Sequence, residues 1–413
     1  MTVGEHATYR SVLANREFAA ILFSQALSIL GDQLARIALA VLVFRETHSA
    51  FAASATFAVA YLTYLVGGPV LSALSDRYTR RTVMVLSDLG RACAVTALAT
   101  AHLPVVGVFA LLVVLSAFAP AFDSARGATL PDILPGEAYV RGNALCNLVF
   151  QAAMIGGFVA GGALLATAGT EQVLLLDAGT FLVSAGALLG LIRARDASAR
   201  PERTNLLRDA AEGVRLVAAD LTLRKLLGFA LLGAVAVAGP ESLAVPVAAS
   251  LGGGTLAAGL LTASIPAGFV VASFAVLRFP PARRIELLPS LTVISVLPLL
   301  ATPLAGSVGV TVVLWTVSGF GSSLQLVASA AYVAAAPEHA RGRAYGLAST
   351  SLMASQGLAQ LAAGGVSTAF GAHHGPGISV AVLGGLTLLL LPVVSGRVRI
   401  AALQPQGNPD LVR

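Results

Sequence analysis

The chain has 413 residues, of which 56% are hydrophobic and 11% charged, with a mean hydropathy of +0.84. Soluble domains carry about a quarter of their residues as charges, so too little polar surface is present for a water-soluble globule, which argues against a cytosolic enzyme, a disordered protein and a nucleic-acid binder. The formal charge of +6 does not restore the last of these, because the basic residues fall where a membrane orders them.

A helix needs roughly 20 predominantly apolar residues to cross the hydrocarbon core. The sequence offers twelve such runs, at about 18–44, 51–74, 82–101, 104–122, 144–168, 172–192, 226–250, 254–277, 286–304, 307–334, 344–370 and 376–396. No ten-residue segments of alternating polarity occur, so a β-barrel is not indicated. Residues 1–17 are polar, and the run after them is too long for a signal peptide and lacks a small-residue cleavage site, so it is expected to stay on the mature chain.

Run one carries Gln25, Asp32 and Arg36. Asp32 and Arg36 are four apart, acid before base, and share a helix face. An ionisable group at mid-bilayer is costly and usually faces a cavity or a partner, so Asp32 has two readings: a site for a proton or cation, or a counter-charge for Arg36. The loop after run two holds Asp76, Arg77, Arg80 and Arg81, an acid among bases where topology alone would need only the bases. In run three Asp88 and Arg91 are read as a self-satisfied pair. Run four has no charge between Leu111 and Pro120, and Arg126 follows at its end. Run five contains Gly157, Gly161 and Gly162, a Gly-x-x-x-Gly face suited to close helix packing. Asp177 is expected near the outer end of run six, where water or helix-terminus contacts suffice.

The longest polar interval, 193–225, has eight Arg or Lys against five Asp or Glu. Residues 205–224 read either as an amphipathic helix lying along the membrane surface, with Leu206, Leu207, Ala210, Val214, Val217 and Leu221 on one face, or as a solvated linker. Run seven then carries Gly239-Pro240-Glu241, with Pro246 beyond it. Proline bends a helix and frees a backbone carbonyl, and Glu241 has no basic residue on its own helix. It lies about as deep in run seven as Asp32 does in run one, and because a buried carboxylate can hold a proton it has two readings: a proton-coupling acid of the cavity, or a helix-bend acid hydrogen-bonded within the protein. Gln25, Gln151, Gln325, Gln356 and Gln360, with Tyr61 and Tyr64, can line a cavity or bridge helices. Cys93 and Cys146 sit in apolar runs and offer neither a disulfide framework nor a metal site. His373-His374 lacks a third ligand, and no phosphate loop or nucleophile motif appears. No cofactor is expected.

With residue 1 on the cytoplasmic side, the even-numbered loops and both ends collect Arg77, Arg80, Arg81, Arg126, Arg141, Arg278, Arg283, Arg284, Arg341, Arg343, Arg397 and Arg399, while the other side receives almost only Arg45. That asymmetry predicts both termini inside. Arg141-Gly142-Asn143-Ala144 opens run five, and Arg341-Gly342-Arg343-Ala344 opens run eleven two hundred positions later. The Arg pair at 80–81 has an echo at 283–284. These repeats predict an all-α integral membrane protein of twelve transmembrane helices in two pseudo-symmetric six-helix bundles, 1–192 and 226–413, joined by a cytoplasmic linker at 193–225.

Residues 74–81, Leu-Ser-Asp-Arg-Tyr-Thr-Arg-Arg, resemble the Gly-x-x-x-Asp-Arg-x-Gly-Arg-Arg signature of the major facilitator superfamily, with Ser72 and Thr79 in place of its two glycines. Gly31-Asp32, the string Ser87-Asp88-Leu89-Gly90-Arg91, Thr129 to Pro135, and Pro337 to Arg343 most resemble its branch of macrolide-efflux and enterobactin-exporter proteins. The resemblance implies a secondary transporter of the cell membrane, acting as a monomer, that exports a lipophilic antibiotic-like molecule or secondary metabolite, or a siderophore, against inward proton flow. A non-transporting membrane sensor or scaffold is the reading from another class. The resemblance further implies that Asp76, Arg77, Arg80, Arg81 and Arg126 latch the halves in the outward-facing state. Gly157-Phe158-Val159-Ala160-Gly161-Gly162 resembles an exporter motif, with Phe158 where proline is expected, and the family's arginine-bearing proton relay in run four is absent.

Overall fold

The structure is a computed structural model that describes residues 8–72, 78–194 and 206–395. Every regular element among these residues is helical. After the short α1 (Tyr9–Leu13), the first six expected runs are α2 (Arg16–Thr47), α3 (Ala50–Ser72), α4 (Arg80–Thr100), α5 (Val105–Ile133), α6 (Glu137–Thr167) and α7 (Thr170–Leu191). A linker helix, α8 (Leu206–Ala219), leads to α9 (Leu221–Ser250) and α10 (Thr255–Val276). The remainder is a short α11 (Pro281–Glu286), α12 (Leu288–Leu300) with a 3-10 turn at Thr302–Leu304, α13 (Val308–Ser322) running into α14 (Leu324–Ala335), α15 (Arg341–Ala369) and α16 (Gly375–Val394).

The ends have local causes. Asn15 caps α2 by accepting from the Glu17 and Phe18 amides, and His48 closes that helix in the left-handed region. Asp220 caps α9 by accepting from the Thr222 and Leu223 amides, so the amphipathic segment expected over 205–224 stops at Ala219 and Leu221 opens the next helix. The linker helix is neither free in water nor laid flat on lipid alone. Gly213 packs on the Arg343 carbonyl of α15, Val217 is buried, and Arg343 pairs with Glu212 at 3.1 Å. The apolar run expected to end near 122 continues as helix to Ile133, through Pro120 and Pro131.

Nine helical stretches among the described residues are long and apolar enough to cross a membrane. The other three expected runs are α3, α12 and α15, and α15 fails on polarity rather than length, with 29 residues. Large apolar side chains such as Leu389, Val393 and Val313 point outward, as a lipid-facing surface requires.

Helices α2 to α7 form one six-helix bundle, and α9, α10, α12, the α13–α14 run, α15 and α16 the other. The bundles meet chiefly along two helix pairs, α3 with α15 and α6 with α10. Small residues bring these backbones together at one membrane face. A Cβ on Gly162 would lie 2.6 Å from the Thr255 carbonyl and 2.9 Å from Gly259 Cα, and one on Gly364 would lie 2.7 Å from Phe51 Cα. Ser54 of α3 donates to the Ser242 carbonyl of α9 at 3.3 Å on the same side of the bilayer centre. Toward the other face, which carries the arginine-rich loops and both described ends, the bundles diverge. There a cleft opens between Tyr64, Asp123 and Ser124 of one bundle and Tyr345, Ser349 and Met353 of the other.

Candidate functional site

The cleft leads to a cavity of about 430 Å³ between the bundles at mid-membrane, with a further pocket of about 190 Å³ beside it, lined by α3 and α6 of the first bundle and by helices of the second. Tyr61, Met154, Glu241 and Gln356 line both spaces. The apolar share of the wall comes from Phe122, Phe150, Phe158, Phe269 and Met353. Such a volume, apolar with a few placed polar groups, suits a small organic ligand.

Glu241 is the focus of the polar wall. It follows Pro240, which lacks the N–H that a continuous α9 would use, and its side chain is only 15% exposed. Tyr61 of α3 donates its hydroxyl to the carboxylate at 3.3 Å, and Gln360 Nε2 of α15 donates at 3.2 Å. Arg36 Nη1 of α2 stands 3.9 Å from Oε1, with its guanidinium 5.9 Å from the Tyr61 ring centre. The sequence finds no base for Glu241 on its own helix, and the partner arrives from the other bundle.

That geometry corrects two pairings expected from spacing. Arg36 turns to Glu241, and Asp32 meets Arg91 at 3.7 Å instead. Arg91 does not close on Asp88; it donates to Ser28 at 3.0 Å and lies between the Phe122 and Phe181 rings, while Asp88 accepts from Ser184. Spacing along one helix reports shared faces but not what packs across them. Asp177 is corrected too: it is fully buried against α2, not near water.

A third acid lines the cavity, Asp123, which sequence reasoning missed because the apolar run stops one residue before it. Arg126 Nη2 lies 3.5 Å from Asp123 Oδ1, and Tyr64 Oη lies 3.5 Å from Oδ2. Its place three residues before Arg126 was the available signal. Arg126 also donates to Gln25 at 3.1 Å, and Gln25 in turn reaches the Cys146 carbonyl. Of the three cavity pairs, Asp32–Arg91, Asp123–Arg126 and Glu241–Arg36, only the last joins the two bundles.

The remaining expected residues are distributed as follows. Gln325 and Gln356 line the smaller pocket. Gly157 and Gly161 pack on Leu30, Leu34 and Ile37 of α2, while Gly162 faces α10. Asp76 and Arg77 lie outside the described residues. Arg80 bonds Asp132 and the Ala128 carbonyl, and Arg81 donates to the Ile192 carbonyl, so both tie α4 to neighbours within its own bundle.

Twelve helical segments among the described residues, nine of them long and apolar enough to cross a membrane, form two bundles around a cavity that opens at one face, which is the architecture of a helical membrane transporter. The profile of the Major Facilitator Superfamily matches residues 21–307, more than half of the chain, and the chain belongs to that superfamily. Its family is one of membrane transporters. Curated relatives include the uncharacterized MFS-type transporter YfiS of Bacillus subtilis (strain 168), 29% identical over 202 residues and 48% of each chain. Another is the uncharacterized MFS-type transporter YvqJ of the same strain, 28% identical over 280 residues, 64% of this chain and 66% of that one. The match thus spans about half the length of the first relative. The class C tetracycline resistance protein of Escherichia coli is 36% identical over 96 residues, 23% of this chain and 24% of that one. Among solved structures, a bacterial homologue of the human lysosomal transporter Spinster, inward-facing and unoccupied, has a TM-score of 0.67 at 14% identity, covering 92% of this chain and 95% of its own. A POT family transporter in complex with 5-aminolevulinic acid has a TM-score of 0.70 at 11% identity, covering 92% and 97%. These two share the fold.

Proposed function

We propose that this chain is a secondary active exporter of a lipophilic small molecule, antibiotic-like or a secondary metabolite, driven by inward proton flow across the cell membrane. The observation that carries the reading is Glu241, a cavity-lining carboxylate held by Arg36 and Tyr61 from one bundle and by Gln360 from its own. The aromatic and methionine wall supports a lipophilic substrate, as does the partial likeness to a tetracycline resistance protein.

The basic face is cytoplasmic by the positive-inside rule, so the cleft is open to the cytoplasm. The bundles are 1–192 and 226–413, the linker is 193–225, and one chain suffices because the whole path lies within it. An ionised carboxyl away from water is costly. Proton release from Glu241 therefore belongs to the hydrated, open cleft, where the resulting carboxylate is met by Arg36. Closure of the basic face and opening of the other re-exposes the carboxyl to the proton-rich side, where it takes up a proton as substrate leaves. Asp76 and Arg126 are assigned to hold the basic face shut in that second state.

The test begins with accumulation of candidate compounds in cells with and without the protein, repeated after the proton gradient is collapsed. Equal accumulation of every compound counts against export. In vesicles, Glu241→Gln keeps the shape and the hydrogen bonds but cannot release a proton. It should bind substrate and allow downhill exchange while losing pH-driven concentration. Vesicles of this variant that still concentrate substrate under an imposed pH gradient would remove Glu241 from the coupling role.

A further inference from the structure

Away from Glu241, the core of the first bundle holds a buried polar column where α2, α4 and α7 pack together. At its first level Ser24 bonds Ser184, and Ser184 donates to Asp88 Oδ2. At the next, Arg91 donates to Ser28 between the Phe122 and Phe181 rings, each centred 5.4 Å from the guanidinium. At the third, Asp177 rests against Gly31, whose missing side chain leaves room for the carboxyl, and the Thr180 hydroxyl donates to Asp177 Oδ1 at 3.3 Å. Asp32, next to Gly31, links this level to Arg91 at 3.7 Å and to the cavity, into which its side chain is 32% exposed.

The charges in this column do not balance. Asp32, Asp88 and Asp177 share Arg91 of α4, while Arg36 of α2 meets Glu241 at 3.9 Å. Asp177 and Asp88 are both fully buried, each with one oxygen that has no hydrogen-bond partner, but Asp88 shares α4 with Arg91 and accepts from Ser184 of another helix, whereas Asp177 has only the Thr180 hydroxyl of its own helix. An ionised carboxyl with one bare oxygen is the costliest arrangement available there. The ionisable groups facing it are Asp32 from α2 and Arg91 from α4. A metal ion is a poor fit, since no group of three acidic, His or Cys side chains with ligand geometry exists among the described residues. A proton needs one oxygen only.

We propose that Asp177 holds an exchangeable proton and that Asp32 relays it to the cavity, giving this transporter a second proton site in the first bundle. The proton resides on Asp177 Oδ2 and leaves as Asp32, freed from Arg91, accepts it and passes it to cavity water. The site extends the proton-coupled reading, but its occupancy is measurable without transport.

The experiment is infrared spectroscopy of the full chain in lipid at neutral pH, following the carbonyl stretch of buried protonated carboxyls through transfer to heavy water. Asp177→Asn should remove one such band, and Glu241→Gln should leave that band in place. Asp32→Asn should slow its deuterium shift about tenfold, equivalent to roughly 1.4 kcal/mol of barrier. A full band set in folded Asp177→Asn, or a band that disappears on adding sodium at constant pH, overturns the proton assignment; an unslowed shift in Asp32→Asn overturns the relay. If Asp177→Asn does not fold, Thr180→Val removes the hydroxyl donated to the same carboxyl and must shift the band. An unshifted band then overturns the site. Failure of Glu241 as the coupling acid would leave every one of these readings unchanged.

Discussion

Arg91 shows how a single buried cation can be held without a close carboxylate. Ser28, two aromatic faces and a 3.7 Å contact with Asp32 share its charge, and its side chain is 4% exposed. Removing one member of a buried charge group leaves the rest uncompensated, typically at a cost of about 3–5 kcal/mol. Arg91→Ala is therefore expected to lower the thermal midpoint of the purified protein sharply. Asp32→Asn should cost less, because Ser28 and both rings still hold the guanidinium; a loss as large as that of Arg91→Ala would show that Asp32 alone balances the charge. At this scale the sequence was partly legible. The depth of Asp32 and Glu241 in their helices singled both out, and both line the cavity between the bundles. The partners were not legible, because i,i+4 spacing sees one helix, whereas Arg36–Glu241 and Asp32–Arg91 each join two.

Among the elements, α6 does two different things with its three glycines. Gly157 and Gly161 seat it on α2 inside the first bundle, whereas Gly162 touches α10 of the second. A side chain at Gly162 must push apart backbone atoms, not flexible tips, and overpacking of this kind costs about 1–3 kcal/mol. The strain falls only on the state in which the bundles meet at this face. Gly162→Val should thus leave abundance near wild type and shift the carrier toward opening at that face, by about tenfold for each 1.4 kcal/mol. Gly161→Val, by contrast, strikes Ile37 and Leu34 within a bundle and should reduce abundance itself. The glycine spacing announced close packing without saying which helix would be packed. All twelve expected runs were read from apolarity, and each falls on helix among the described residues. The length of α5 was not, since helix continues past the point where apolarity ends.

For the whole molecule, the consequence of this geometry is reciprocity: the cleft and the closed face cannot both be open while the two helix pairs act as pivots. Two positions report on it. Ser349 of α15 lines the cleft at the basic face, and Ser54 of α3 is fully buried where the bundles close. In a background with Cys93 and Cys146 replaced by serine, Ser349→Cys should react with a membrane-impermeant thiol reagent applied to the basic face, and Ser54→Cys should be silent from either side. Adding Gly162→Val should reverse both, slowing the first and making the second reactive from the opposite face. With both termini cytoplasmic, as the positive-inside rule expects, only inverted vesicles would present the basic face to added reagent, so the same assay tests that orientation. Parallel changes at the two positions, both faster or both slower, would mean local loosening and would exclude rocking of the two bundles about α3–α15 and α6–α10.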